Sequence, residues 1–155
     1  MKQIVKLSTF SLILSVSCVI LLLVVLYFSS DDIINYIICA ILVVWMALAL
    51  YYMPMSISCD SNELCIRRSL RVKRIPLSDI ESVTVCPPTM AERRICCSGG
   101  WFGYWGWFSD PSIDKYFAYY GKSSECFLVT LKSGRKYLLG CENMQDMVGY
   151  IQKQL

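Results

Sequence analysis

The sequence predicts an α+β protein: two bilayer-length apolar helices, then a small antiparallel β-barrel closed by an amphipathic C-terminal helix. Three observations predict it. The chain is 55% apolar, with a mean hydropathy of +0.48. That excess is concentrated in two charge-free runs, 24 residues between Lys6 and Asp31 and 27 between Asp32 and Asp60. Beyond them the pattern changes to short alternating runs, and only the last segment returns to a helical period.

A helix rises 1.5 Å per residue, so about 20 apolar residues cross a hydrocarbon core about 30 Å thick. Each run is long enough to cross once, with spans expected over about 7–28 and 33–53. The basic start at Lys2 and Lys6 also fits a cleaved signal peptide. Such a peptide carries an apolar stretch of only about 7–15 residues and a small-residue cleavage site. Here the run extends from Leu7 to Phe28, and Ser29, Ser30, Asp31 and Asp32 offer no such site, so a retained span is expected. Those four residues allow a tight turn and an antiparallel helical hairpin. Ser8, Ser11 and Ser15 form a small-residue stripe on the first span, suited to packing against the second span or another copy. Lys2 and Lys6, with the arginines after the second span, place both termini and the following domain in the cytoplasm by the positive-inside rule.

The domain is expected over 54–155, after the hairpin of 1–53. Met55, Ile57 and Cys59 alternate with Ser56 and Ser58, which is strand periodicity. Asp60, Ser61 and Asn62 make a turn. Leu64 and Ile66 continue the alternation, and a third strand runs near Leu70 to Ile75. Pro76 ends it; Leu77 to Ile80 reads as a helical turn before a strand from Glu81 to Cys86, stopped by Pro87 and Pro88. Further strands are predicted at Lys115 to Tyr120, Cys126 to Leu131 and, after a Ser133-Gly134 turn, Lys136 to Leu139. Met144, Met147, Val148, Ile151 and Leu155 then share one helical face, with Asn143 and Asp146 as an N-cap arrangement.

Several chemistries are disfavoured. Histidine is absent, which removes His-based triads and His metal ligands. Asp60, Glu63, Asp79, Glu81 and Glu92 are scattered and unpaired by any motif, and Gly99, Gly100, Gly103 and Gly106 do not open a helix as a phosphate loop does. No enzyme activity, cofactor or metal is expected. The nine cysteines include no C-x-x-C and two within the spans, Cys18 and Cys39. Reduced thiols acting as small apolar fillers are expected in a cytoplasmic domain, and the adjacent Cys96 and Cys97 are the pair open to oxidation. Net charge is only +3, which disfavours nucleic acid as a partner.

Two clusters remain as candidate contacts. Arg67, Arg68, Arg71, Lys73 and Arg74 fall on a strand, a loop and a strand just after the second span. Basic groups near an anionic leaflet gain about 1 kcal/mol each; an ordinary solvated face is the competing use. Trp101, Phe102, Tyr104, Trp105 and Trp107, with Phe108, crowd six aromatic rings into eight positions. Three fates are open: packing into the barrel with glycines admitting close backbone, residence at the headgroup level, or burial against a partner protein.

The segment Arg74-Ile75-Pro76-Leu77-Ser78-Asp79-Ile80-Glu81-Ser82-Val83, the run Ser98-Gly99-Gly100-Trp101-Phe102-Gly103-Tyr104-Trp105-Gly106-Trp107-Phe108 and the final hairpin with its helix give the chain a family resemblance. It resembles the bacterial pleckstrin-homology-like domain proteins in which a membrane hairpin precedes a PH-like barrel. The resemblance covers about residues 53–155. Phenylalanine or leucine is common where Trp101, Trp105 and Trp107 stand, so this copy is tryptophan-rich. The resemblance implies a PH-like fold of seven or so strands plus a C-terminal helix, and no reaction. The expected role is a membrane-anchored binding or scaffold module for a protein partner or anionic lipid. The alternative is a structural subunit of a homo-oligomer assembled through the spans.

Overall fold

The computed structural model describes residues 1–27, 33–89 and 91–155. The element order is β1 (Lys2–Ile4), α1 (Thr9–Tyr27), α2 (Ile33–Tyr52), β2 (Pro54–Cys59), β3 (Glu63–Arg68), β4 (Val72–Pro76), β5 (Ile80–Val85), β6 (Arg93–Gly100), β7 (Gly103–Asp110), β8 (Asp114–Tyr120), β9 (Cys126–Leu131), β10 (Lys136–Gly140) and α3 (Met144–Gln152). The expected turn at Ser29, Ser30, Asp31 and Asp32 lies outside the described residues.

Ser8 starts α1: its Oγ accepts the Ser11 N–H at 3.1 Å, filling one of the four donors a helix leaves open. Pro54 ends α2, since proline forces the preceding residue out of the helical region. Both helices are long and apolar enough to cross a membrane. Their buried residues are few, namely Ser11 and Ser15 on α1 and Cys39 and Ala49 on α2. A core helix of a water-soluble protein buries its apolar face; these leave theirs outside.

The strands form two sheets, ordered β1-β2-β3-β4 and β5-β9-β10-β8-β7-β6. A closed antiparallel barrel is therefore not what the described residues form. Among the described residues no ladder joins the two sheets, and β8 and β10 pair in parallel, Tyr137 opposite Phe117. Inner faces of both sheets meet in one core: Ile57, Leu64, Ile66 and Ile75 from the first, Val83, Phe127, Val129 and Leu139 from the second. Helix α3 closes that core with Met147, Val148 and Ile151. The Gln152 Nε2–H donates to the Val83 carbonyl at 2.8 Å and holds the helix against β5. Asn143 occupies the N-cap position but its side chain makes no cap bond. The opposite face of the larger sheet carries a second core of Phe108, Ile113, Tyr116, Ala118, Tyr120, Cys126 and Leu138. Glu92 accepts hydrogen bonds from the phenols of Tyr116 and Tyr120 there.

Two features depart from the simple alternation. The β2–β3 register slips between Pro54 and Ser56, which turns Met55 outward and Ser56 inward. The other is β1. Lys2, Gln3 and Ile4 pair with Ser58, Ile57 and Ser56, Val5 enters the main core, and the N-terminal ammonium donates to the Cys59 carbonyl at 2.6 Å. The first residues are thus an edge strand of the domain as well as the lead-in to α1.

Candidate functional site

The chain enters and leaves the domain at one end. Ser8 N–H donates to the Gly121 carbonyl at 3.0 Å just before α1, and Lys6 pairs with Glu142. Just after α2, the Met53 carbonyl accepts the Ser69 N–H at 3.1 Å, which seats the β3–β4 turn beside the helix end. Gly121 makes the close approach possible: a Cβ there would lie 2.1 Å from the Lys6 carbonyl oxygen.

This end gathers part of the basic cluster. Arg67 and Arg71 are exposed at the β3–β4 turn, with Leu70 between them 70% exposed. Arg68 turns inward. Its guanidinium carbon lies 5.2, 5.5 and 5.8 Å from the ring centres of Tyr51, Tyr52 and Tyr119. Such cation–π contacts are strongest where water is excluded. An Arg68 amino group donates to the Tyr119 hydroxyl at 3.5 Å, while its Nε is buried with no acceptor among the described residues. Burial pushes the Tyr119 phenol up to about 12 despite the arginine, so it stays protonated. Lys73 and Arg74 lie further along β4 and have other partners. Lys73 Nζ donates to the Tyr137 hydroxyl at 2.7 Å, and Arg74 meets Glu63 at 3.4 Å. The five residues therefore split into a turn group and a strand group.

The aromatic run folds as the tip and second strand of the β6–β7 hairpin. Tyr104, Gly106 and Phe108 face the second core, where Tyr104 stacks on Tyr120 at 4.8 Å and Phe108 is fully buried. Trp105 and Trp107 face the other way. Trp105 stacks on Tyr52 of α2 at 4.9 Å, and Trp107 meets Phe117 edge-on at 5.2 Å while 44% exposed. Gly106 is required: its φ is +115°, and a Cβ would sit 2.5 Å from the Cys96 carbonyl oxygen.

The turn at the tip, Trp101 and Phe102 between the paired Gly100 and Gly103, seats against both helices. Phe102, at φ +53°, donates its N–H to Ser15 Oγ at 2.8 Å, and Ser15 Oγ–H donates to the Ser11 carbonyl at 2.6 Å. The serine stripe of α1 therefore receives the hairpin tip. The Trp101 carbonyl accepts from Ser98 Oγ at 2.8 Å and from the Trp105 indole at 3.2 Å. The Trp101 ring borders a small cavity with Cys18, Leu21 and Leu22 of α1 and Leu42 and Met46 of α2, and its own indole N–H is buried without an acceptor among the described residues. A larger apolar groove of about 330 Å³ opens between α2 and the hairpin, walled by Trp45, Leu48, Tyr52, Cys96, Trp101 and Trp105.

No described group of cysteines and carboxylates could hold a metal. Cys96 is exposed and Cys97 half-buried, adjacent residues on a strand projecting to opposite faces. Burial raises the Cys97 thiol above its ordinary range and pushes Cys141 up to about 12, which suppresses the reactive thiolate.

The two-sheet core with its closing helix lies within the stretch a family model recognises: the model described as the bacterial PH domain matches residues 55–154. The chain belongs to the bacterial PH domain family. The match begins at β2 and ends in the closing turn of α3, so β1, α1 and α2 precede the recognised PH domain. None of the curated proteins and none of the solved structures matches the chain. Around this PH domain, sequence reasoning missed the pairing of β1 with its first strand, the tyrosine cage of Arg68 and the docking of the β6–β7 tip onto Ser15. Only the last had a local signal, the serine stripe, and its partner was out of reach.

Proposed function

We propose that this bacterial PH domain is a non-enzymatic binding module anchored in a membrane by α1 and α2, presenting the β3–β4 turn to anionic lipid. One observation carries the reading. The Ser69–Met53 bond places Arg67, Arg68 and Arg71 beside the point where the second apolar helix ends. The outward faces of both helices favour a lipid surrounding, because Phe10, Leu21, Ile33, Val44 and Trp45 are exposed and would otherwise stand in water. With the helices in a bilayer, Arg67 and Arg71 reach the headgroups and Leu70 dips beneath them. Lys73 and Arg74 contribute less, being further along the strand and already engaged. The β1–β2 pairing supports one side for the N-terminus and the domain, and Lys2 and Lys6 favour the cytoplasmic side.

The test uses the full chain, because a fragment beginning at Pro54 would lack β1 and Val5. In neutral detergent micelles, titration calorimetry compares short-chain phosphatidylglycerol with short-chain phosphatidylcholine. The anionic lipid binds more tightly, the difference shrinks with salt, and the double replacement Arg67→Glu with Arg71→Glu removes it. Equal binding of the two lipids would reject lipid recognition and leave a protein partner as the ligand.

A further inference from the structure

We infer that the groove between α2 and the β6–β7 hairpin is a binding site for one lipid acyl chain, and that the hairpin tip enters the bilayer to form it. The inference rests on the membrane reading above and adds a ligand and a place. Depth comes first. Helix α2 ends at Tyr52; Leu48 and Trp45 lie four and seven residues earlier, about 6 and 10 Å along the axis. Trp101 reaches further, to Leu42 of α2 and Leu22 of α1. A groove at those levels lies among acyl chains.

Strand backbone is excluded from hydrocarbon unless its polar groups find partners. At this tip several of them do. The β6–β7 ladder runs to the Gly100–Gly103 pair, Ser15 accepts the Phe102 N–H, and Ser98 and Trp105 both donate to the Trp101 carbonyl. A turn in water has no need of three side-chain partners, since solvent supplies them. This one draws them from the protein instead.

The walls choose the occupant. They are almost wholly apolar, so water, which needs two to four polar partners, gains little there. An empty groove would forfeit dispersion contacts along its whole lining. The groove is continuous with the outward face of α2, where Trp45 is 61% and Leu48 48% exposed. A hydrocarbon tail lying along that face enters it sideways without crossing a polar barrier. The tail's own headgroup then falls near Tyr52, one ring away from Arg68.

The experiment reconstitutes the full chain into phosphatidylcholine vesicles containing a phosphatidylcholine with a diazirine midway along one chain. After illumination, adducts are mapped by mass spectrometry. Adducts are expected on the outward residues of both helices and on β6–β7 between Cys96 and Trp105. Leu48→Trp, at a half-exposed position where the larger ring fills the groove, should reduce the β6–β7 adducts to background and leave those on α1 intact. Should that variant fail to reconstitute, Cys96→Phe fills the groove from the other wall and must give the same loss. Labelled helices with an unlabelled hairpin, or hairpin adducts that survive both filling variants, would overturn the chain site while leaving the anchor in place. Unlabelled helices would remove the anchor itself, and the site with it.

Discussion

Replacing Ser15 with alanine isolates the bond that docks the hairpin on α1. Ser15 is 5% exposed, and its hydroxyl accepts the Phe102 N–H at 2.8 Å while donating to the Ser11 carbonyl at 2.6 Å. The variant affects these two partners unequally. The Ser11 carbonyl keeps its place in the helical ladder, so it loses a supplementary donor. Phe102 loses its acceptor, and the left-handed φ of +53° leaves its amide little freedom to turn elsewhere. A buried donor left unsatisfied costs about 1–3 kcal/mol. Bonds between helices within bilayers measure nearer the lower end, because the alternative state also finds partners. That cost multiplies the opening equilibrium of the tip by about 5- to 150-fold.

Hydrogen exchange of the full chain in micelles, read by mass spectrometry, measures that opening directly. Amides from Gly99 to Trp105 should exchange faster in the variant by a factor in that range, while β9 and β10 keep their protection. Ser17→Ala, at an exposed position two residues on, serves as the control and should change nothing. Unchanged exchange at the tip in Ser15→Ala would show that the hairpin is not held by this bond, and the argument for its burial between the helices would lose its central support.

Three further outcomes follow from the geometry. Gly106→Ala places a Cβ 2.5 Å from backbone at φ +115° and should prevent folding, whereas Gly134→Ala, at φ +79° in open space, should cost only about 1–2 kcal/mol of thermal stability. Asp110 accepts from Ser112 and Thr89, which hold its carboxyl near 2, below the ordinary 3.8. A depressed carboxyl stabilises the fold fully above about pH 4, and the contribution is lost as pH falls through 2. Asp110→Asn should therefore lower stability at pH 7 and flatten its dependence on pH between 4 and 2, as denaturant titration will show. Arg68→Leu should cost about 0.5–2 kcal/mol through its three ring contacts, and Arg68→Lys should fail to restore it, because a compact ammonium cannot lie flat against several rings.

What the sequence made legible follows from which faces of each strand are buried. Strands β2 to β5 were readable, as was α3, because an apolar period marks one buried side, whereas β8 to β10, buried on both faces, were readable from aromatic and branched residues between turn signals. The alternation failed locally at Met55, where the β2 bulge reverses it. Strands β6 and β7 gave no such period. Tyr104 and Phe108 face a core while Trp105 faces α2, so both sides of β7 are apolar and period two disappears. Strand β1 was hidden for a different reason. Its three residues look like the basic flank of a span, and only the pairing of Gln3 with Ile57 shows the second use. Arg68 was identifiable as part of a basic cluster, but its cage draws Tyr51 and Tyr52 from the helix and Tyr119 from a distant strand. Sequence spacing cannot bring those together. Sheet closure was equally beyond reach, because periodicity reports which side of a strand is buried and not which edges join.

The attachments at the helix end bear on what kind of module this is. A PH domain on a single flexible tether would sample many orientations, and any basic patch on it would find lipid only part of the time. Here the domain is held at four places: Ser8 to Gly121 before α1, Met53 to Ser69 after α2, Tyr52 stacked on Trp105, and Phe102 bonded to Ser15. Four contacts spread over two helices fix rotation as well as distance. The β3–β4 turn and the β6–β7 tip then point toward the helices, while α3 is held on the core against β5. Ordering entropy is therefore met during folding, so on the proposed reading little would oppose the capture of a lipid at this end. It follows that loosening one attachment, even one far from Arg67 and Arg71, should weaken anionic-lipid binding without altering any charge. Gly121→Ala is the sharpest such change, since its methyl would strike the Lys6 carbonyl and displace the lead-in to α1.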